Sequence, residues 1–298
     1  MFFKARRLLS RNNRRTRNRA YDLRSSDLGP LNAYYENMGR PSVIGVELEH
    51  CRWYGASGLS YSRDSLHPYI RTLAEYESGV CTVYEGSILQ RYWESWAPRN
   101  LAEYFRIDTT GCHSLLLQTP PNHNILPWSP ADRVSYMEQK QWMNRPDYRA
   151  LCEAGCTPAR SCGPKPAWFG MTRFQRLLSV FESIKTHGYR DVATESEQYE
   201  DQHIIVNCLV RDADVRFVVA NGQHRSSALA ALGQSIASVI VHSQTDRGPA
   251  VVRREEVSHW PLVRMGIFSA SDAEAIFDRI FDAVPPREVE SMEQRGAK

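Results

Sequence analysis

Two short stretches of this chain carry side chains suited to chemistry. Asn221-Gly222-Gln223-His224-Arg225-Ser226-Ser227 follows an apolar run and opens a small-residue segment that stops at Gly233. A strand that ends in Gly and feeds a helix leaves the first backbone N–H groups of that helix without partners. Those groups and the helix dipole attract an anion. His224 and Arg225 add donors and charge at the same corner, a combination that points to phosphate. A structural turn with both side chains in local ion pairs would use the same residues. The second stretch is Val43 to Glu49, where Val46 and Leu48 alternate with Glu47 and Glu49. Its period predicts a half-buried strand with both carboxylates on the polar face; two exposed carboxylates on such a strand are also an ordinary surface.

The elements around the corner are easily read. Thr172 is placed to cap a helix in which Phe174, Leu177, Leu178, Phe181 and Ile184 form one stripe, with Gly188 at the stop. A strand over 203–210, a turn at 211–214, a strand over 215–220, the corner helix and a strand over 236–242 complete a compact unit. Upstream, 66–77 and 84–96 read as helices. Ile88, Leu89, Tyr92, Trp93 and Trp96 share a face in the second, which predicts core, with a carbohydrate-stacking platform as the alternative. Ser129 and Pro130 predict a helix start between two Pro/Gly-rich segments, 108–130 and 144–171, of the kind that carry function or mark boundaries. Ser269 and Asp272 form a capping pair ahead of Ala273, Ile276, Phe277, Ile280 and Phe281, and Pro285-Pro286 ends that helix.

Composition narrows the class. The chain of 298 residues has a net charge of +3 and is long enough for a substantial core. No apolar run is long enough to span a bilayer, so the expected location is the cytoplasm, with any membrane contact peripheral. Charge is uneven: residues 1–24 hold nine Lys or Arg against Asp22 alone, so the remainder is net acidic. Such an arm is either a solvated tail or a site for an anionic membrane surface, with nucleic acid less favoured. Seven cysteines and no secretory signal imply a reducing compartment. Cys152, Cys156 and Cys162 lack a fourth neighbouring ligand, so free thiols are expected rather than zinc.

The stretch "FESIKTHGY" followed by "IIVNCLVRDADVRFVVANGQHRSSALAALGQSIASVIV" resembles the ParB/sulfiredoxin-like superfamily core over about residues 173–242. The resemblance implies an α+β fold in which this core carries a large helical insertion and a C-terminal helix, with the strand at 43–49 as its first strand. The implied organisation is a basic arm over 1–27, strand and insertion over 28–171, core over 172–245 and an extension over 246–298. Members of the superfamily hold nucleotide phosphates at the corner. Carried over, Asn221, Gly222, Gln223, His224, Arg225, Ser226 and Ser227 would bind ATP or ADP, Gly222 by close backbone approach, His224 and Arg225 at the phosphate oxygens and the serines through their hydroxyls. Gln223 stands where sulfiredoxins have a nucleophilic Cys, which argues against that reaction. Asn221 stands where the related serine kinases have Asp. The reading that follows is a phosphotransferase using a nucleotide and Mg²⁺ on a small hydroxyl-bearing or carbohydrate substrate, with Glu47 and Glu49 as candidate general bases. Its alternative is a non-catalytic nucleotide-binding or regulatory protein, ahead of a DNA-binding protein or nuclease.

Overall fold

A computed structural model describes residues 20–26, 28–189, 203–241 and 248–296; most of the basic arm lies outside them. The fold is α+β around one mixed sheet. Its strands are β1 (Tyr21–Asp22), β2 (Ser42–Glu47), β3 (Cys51–Trp53), β4 (Ile204–Arg211), β5 (Asp214–Asn221), β6 (Ile236–Val241) and β7 (Val251–Arg253). They run in the order β1-β2-β6-β4-β5-β3, with β7 beside β4. β4 reads Ile-Ile-Val-Asn-Cys-Leu-Val, and nearly every position is buried, as a strand covered on both faces requires. One edge of β4 is shared: Ile204 to Val206 pair in parallel with β6, and Cys208 to Val210 with β7. On its other side β5 runs antiparallel, joined through Asp212 at φ 54°, a left-handed conformation that Asp tolerates at a tight turn.

The stretch at 43–49 does enter this sheet. Val43 pairs with Ile240 and Val46 with Ala237, antiparallel to β6. The strand ends at Glu47, however, and Leu48–His50 turn as a 3-10 helix. Glu49 is therefore off the strand, though it and Glu47 are both exposed.

The helices that frame the sheet are α1 (Pro68–Glu77), α2 (Ile88–Ser95), α3 (Pro146–Glu153), α4 (Ala167–His187), α5 (Gln223–Ala231), α6 (Ala270–Phe281) and α7 (Arg287–Gly296). Shorter helical turns join them. α4 buries Phe174, Leu177 and Phe181 and stops at Gly188. It starts five residues before Thr172, whose hydroxyl instead donates to the Trp168 carbonyl inside the helix. The cause is tertiary: a Cβ on Gly170 would stand 2.0 Å from Tyr84, so the glycine that weakens a helix in isolation lets this one dock. Ser129 likewise does not cap; it ties Leu126 N–H to the Asn124 carbonyl, and that helix begins at Asp132. Ser269 caps α6 as expected, accepting from Asp272 N–H at 3.0 Å. α6 ends at Phe281, ahead of Pro285-Pro286 as expected, but the extension holds a second helix: the Pro286 carbonyl accepts from Val289 and Glu290 at the start of α7, and Val289 is buried.

The region 28–171 shares its core with the rest. Trp53, Tyr61, Leu89, Trp93 and Leu151 belong to the same buried cluster as Leu177, Val206, Ala228 and Phe281. Leu89, Tyr92, Trp93 and Trp96 are all but inaccessible, so that helix face is core and offers no sugar-stacking platform. Arg52 knits β3 to α6: its buried guanidinium donates to the carbonyls of Phe281, Glu49 and Cys51. Among the described residues no helix is long and apolar enough to cross a membrane.

Candidate anion site at the start of α5

The corner forms because β5 is irregular where it meets the helix. Ile205 faces Asn221 and Val206 faces Val219, so Ala220 is the extra residue of a bulge, a device that re-aims the side chains beside it. Gly222 follows at φ +89°, and a Cβ there would come within 2.9 Å of the Ile204 Cα. The glycine is required by the neighbouring strand as well as by the turn. Gly222→Ala is therefore expected to lower stability by about 2 to 4 kcal/mol, from the left-handed backbone plus overpacking; a thermal midpoint equal to that of the parent would contradict this.

A cavity of about 50 Å³ opens at this corner, lined by Trp53, Tyr54, Tyr69, His123, Arg160, Arg173, Ala220, Asn221, Gln223 and His224. Its residues come from β3, α1, the Pro-rich loops, α4 and the β5–α5 turn. Arg160 is carried on the loop after α3, which is pinned from three sides. Thr157 donates to the Pro121 carbonyl, Tyr92 donates to the Ser161 carbonyl, and the Tyr104 and Ser161 hydroxyls bond at 2.7 Å. The guanidinium reaches Asp147 at 3.1 Å, while its Nε has no hydrogen-bond partner. Arg173, on α4, lies over the Phe169 ring at 5.1 Å. No carboxylate is among the described residues that line the cavity.

His224 is stacked on Tyr69, ring centroids 5.0 Å apart and planes within 19°. Its Nε2 is enclosed without a partner. Burial, then the charges of Arg173, Arg176, Arg160 and Arg225, push its pKa down to about 3, so the imidazole is neutral near pH 7. The cavity thus brings two arginines and a neutral imidazole together with no carboxylate among its described lining residues, so its wall is positively charged.

The other expected contacts are distributed differently. Asn221 and Gln223 line the cavity; the Asn221 Oδ1 accepts from Gly222 N–H and the Gln223 amide donates to the Val219 and Ala220 carbonyls. Arg225 is not part of the lining and acts on His224 through its charge. Ser226 and Ser227 are buried, and their hydroxyls donate to the Gly222 and Gln223 carbonyls, a back-bonding pattern internal to the helix. Glu47 and Glu49 border a separate groove of about 410 Å³ with Tyr61, Arg63, Gly233 and Gln234, at the C-terminal end of α5. At 1.5 Å per residue that end is about 10 Å from His224, and the groove and the corner cavity share no lining residue, so the carboxylates and the corner are not brought together. Glu47 pairs with His50 at 3.3 Å.

Trp53, Tyr69, His123, Arg160 and Arg173 were not marked by any local spacing. The hints were the two Pro/Gly-rich segments, which carry His123 and Arg160. Cys152, Cys156 and Cys162 near it are free thiols, and burial raises the pKa of each. No protein-family model, curated protein or solved structure matches the chain, and the assignment of the cavity rests on its own donors and charge.

Proposed function

We propose that this protein recognises the phosphates of a nucleotide, ATP or ADP, at the cavity beside α5, and that it is a nucleotide-binding or regulatory protein. One observation carries the reading: Arg160, Arg173 and His224 converge on a cavity with no carboxylate among its described lining residues. Charge-assisted hydrogen bonds from guanidinium groups to phosphate are the strong ones, and the helix start adds favourable dipole. Arg173→Met keeps the apolar stem and removes the charge. It is expected to weaken ATP or ADP binding by about 1.5 to 3 kcal/mol in a calorimetric titration while the protein stays folded. Equal affinity in the folded variant would remove the cavity from the reading.

A phosphotransferase is the second reading, favoured by the groove beside Glu47 and Glu49, which has room for a small hydroxyl-bearing or carbohydrate acceptor. It requires Mg²⁺ and a ligand long enough to bridge the two ends of α5. Nucleotide turnover that rises with an acceptor and falls in Glu47→Gln or Glu49→Gln, with nucleotide affinity unchanged, would select it. Binding without turnover across an acceptor panel keeps the regulatory reading.

A further inference from the structure

Glu47, Glu49 and His50 are gathered by the way β2 stops. On a strand continued past Glu47 the two carboxylates would share one face and His50 would lie on the other. Instead Leu48–His50 turn as a 3-10 helix, a form in which residues three apart eclipse one another, and His50 comes back beside Glu47. One ligand atom from each of the three side chains lies within 4.8 Å of the other two. The backbone beneath them is fixed. Glu47 is paired with Ile236 in the sheet, Leu48 N–H donates to the Ser235 carbonyl at 2.8 Å, and the Glu49 carbonyl accepts from the Arg52 guanidinium at 2.6 Å. Leu48 and Cys51 are buried and anchor the turn from inside.

The side chains themselves stay open to solvent, 55% exposed at Glu47 and 39% at His50, so a dissolved ion reaches them without a change of fold. Two carboxylates at this spacing repel, and among the described residues neither is paired with a lysine or an arginine. The Glu47 Oε2 is 3.3 Å from the His50 Nδ1, outside the usual N–H···O range of about 2.7 to 3.2 Å. That distance matches the ligand-to-ligand edge of a tetrahedral zinc centre, roughly 3.3 to 3.4 Å for bonds of about 2.0 to 2.1 Å. Glu49 closes its remaining distance by rotation of an exposed side chain.

From this arrangement we infer that Glu47, Glu49 and His50 bind a divalent transition-metal ion, Zn²⁺ by the fit of donors and spacing. One imidazole nitrogen with two carboxylate oxygens suits zinc, whereas magnesium and calcium prefer shells of oxygen with higher coordination numbers. Three protein ligands leave a fourth position. Glu47 and Glu49 also line the groove of about 410 Å³, so that position is filled by water or by a group of whatever occupies the groove. The site shares no lining residue with the cavity beside α5 and stands independently of it.

Calorimetric titration of the full chain with Zn²⁺ alone, and separately with Mg²⁺, tests this in the parent, in Glu49→Gln and in His50→Ala. The chain has seven cysteines, so Co²⁺ serves as a second probe: thiolate ligation gives an intense near-ultraviolet charge-transfer band that nitrogen and oxygen ligands lack. The parent is expected to bind one Zn²⁺, and Co²⁺ without that band. Each variant is expected to lose about a hundredfold or more in Zn²⁺ affinity, since even changes behind the ligands cost about 10- to 100-fold, with the metal-free thermal midpoint unchanged. Mg²⁺ is expected to bind about a hundredfold more weakly than Zn²⁺. Arg173→Met is expected to leave Zn²⁺ affinity as it is, so the fate of this site is read apart from that of the cavity. No Zn²⁺ binding, a loss of less than about tenfold in either folded variant, a thiolate band with Co²⁺, or Mg²⁺ bound as tightly as Zn²⁺ overturns the inference.

Discussion

Between pH 6.5 and about 4.5 the protein is expected to lose stability with the signature of two imidazoles that cannot be protonated in place. His67 is fully buried, and its Nδ1 accepts from the Tyr69 N–H at the start of α1. Its other neighbours are the rings of Trp53, Tyr61 and Tyr69. Burial first, and the nearby His224 as a lesser cause, bring its pKa down to about 3; His224 is lowered to about 3 by burial and four arginines. Both groups have a folded pKa below the unfolded value, so the unfolded chain binds the extra proton. The stability they contribute is complete above pH 6.5 and is lost as pH falls toward 3. At pH 4.5, two units below the unfolded pKa, a fully shifted His costs about 2.7 kcal/mol. His67 is expected to deliver most of that, His224 less because it is only half-buried, for a joint loss of about 4 kcal/mol. Above pH 4.5 the lowered carboxylates, Asp22, Glu103, Asp147 and Asp278, contribute little, so the window isolates the histidines. Urea unfolding at half-unit steps of pH checks this. A flat stability from pH 7 to 4.5, or an unchanged slope in His67→Gln, would show that the imidazoles are not the cause.

The second large effect is expected from Gly163→Ala. A Cβ at this position would stand 1.6 Å from the Trp93 carbonyl oxygen and 2.9 Å from the Trp93 Cα, and both are backbone atoms in the last turn of α2. Neither partner can swing aside as a side chain would. Gly163 N–H also donates to the Trp96 carbonyl at 2.8 Å, so separating the two segments breaks that bond as well. A loss of about 4 kcal/mol or more is expected, at the top of the range for a single substitution. The same change should loosen the loop that carries Arg160 and weaken anion binding in whatever fraction remains folded. A thermal midpoint within a few degrees of the parent would refute the close approach.

How much of this was legible in the sequence depended on whether the signal was local. The hairpin of β4 and β5, the corner, α5 and β6 follow one another within 38 residues, and period, turn chemistry and glycine stops mark each of them. Asn221, Gln223 and His224, which line one cavity, could be placed side by side for that reason. Where local preference and tertiary contact disagreed, contact prevailed: Thr172 has good capping chemistry, yet Tyr84 accepts Gly170 and α4 starts earlier. Ser226 and Ser227 illustrate another limit, since a hydroxyl in the first turn of a helix can serve a ligand or the helix itself, and composition does not distinguish the two. Arg160, Arg173 and Trp53 meet only when β3, the loop after α3 and α4 fold around the corner, and no spacing in the chain announces that meeting. Glu47 and Glu49 show the converse: alternation placed them on one exposed face, but the distance to His224 is set by the length of α5.

The sheet order also governs when the molecule can come into being. β2 reaches its partner in β6 through Val43 opposite Ile240, and β3 reaches β5 through Cys51 opposite Phe217. Beyond the two-residue β1, which lies beside β2, β2 and β3 therefore have no partner in the sheet until most of this sequence has been made. At about 5 to 20 residues per second, that leaves Val43, Ile44, Val46 and Trp53 waiting on the order of 10 s or longer. Nascent chains halted before Ile236 are expected to remain open to protease and to chaperones, and nucleation should begin at the late β4–β5 hairpin, whose contacts close the shortest loop in the sheet. The N-terminal residues of the sheet are then the last to join it, completing a structure whose centre was laid down after them.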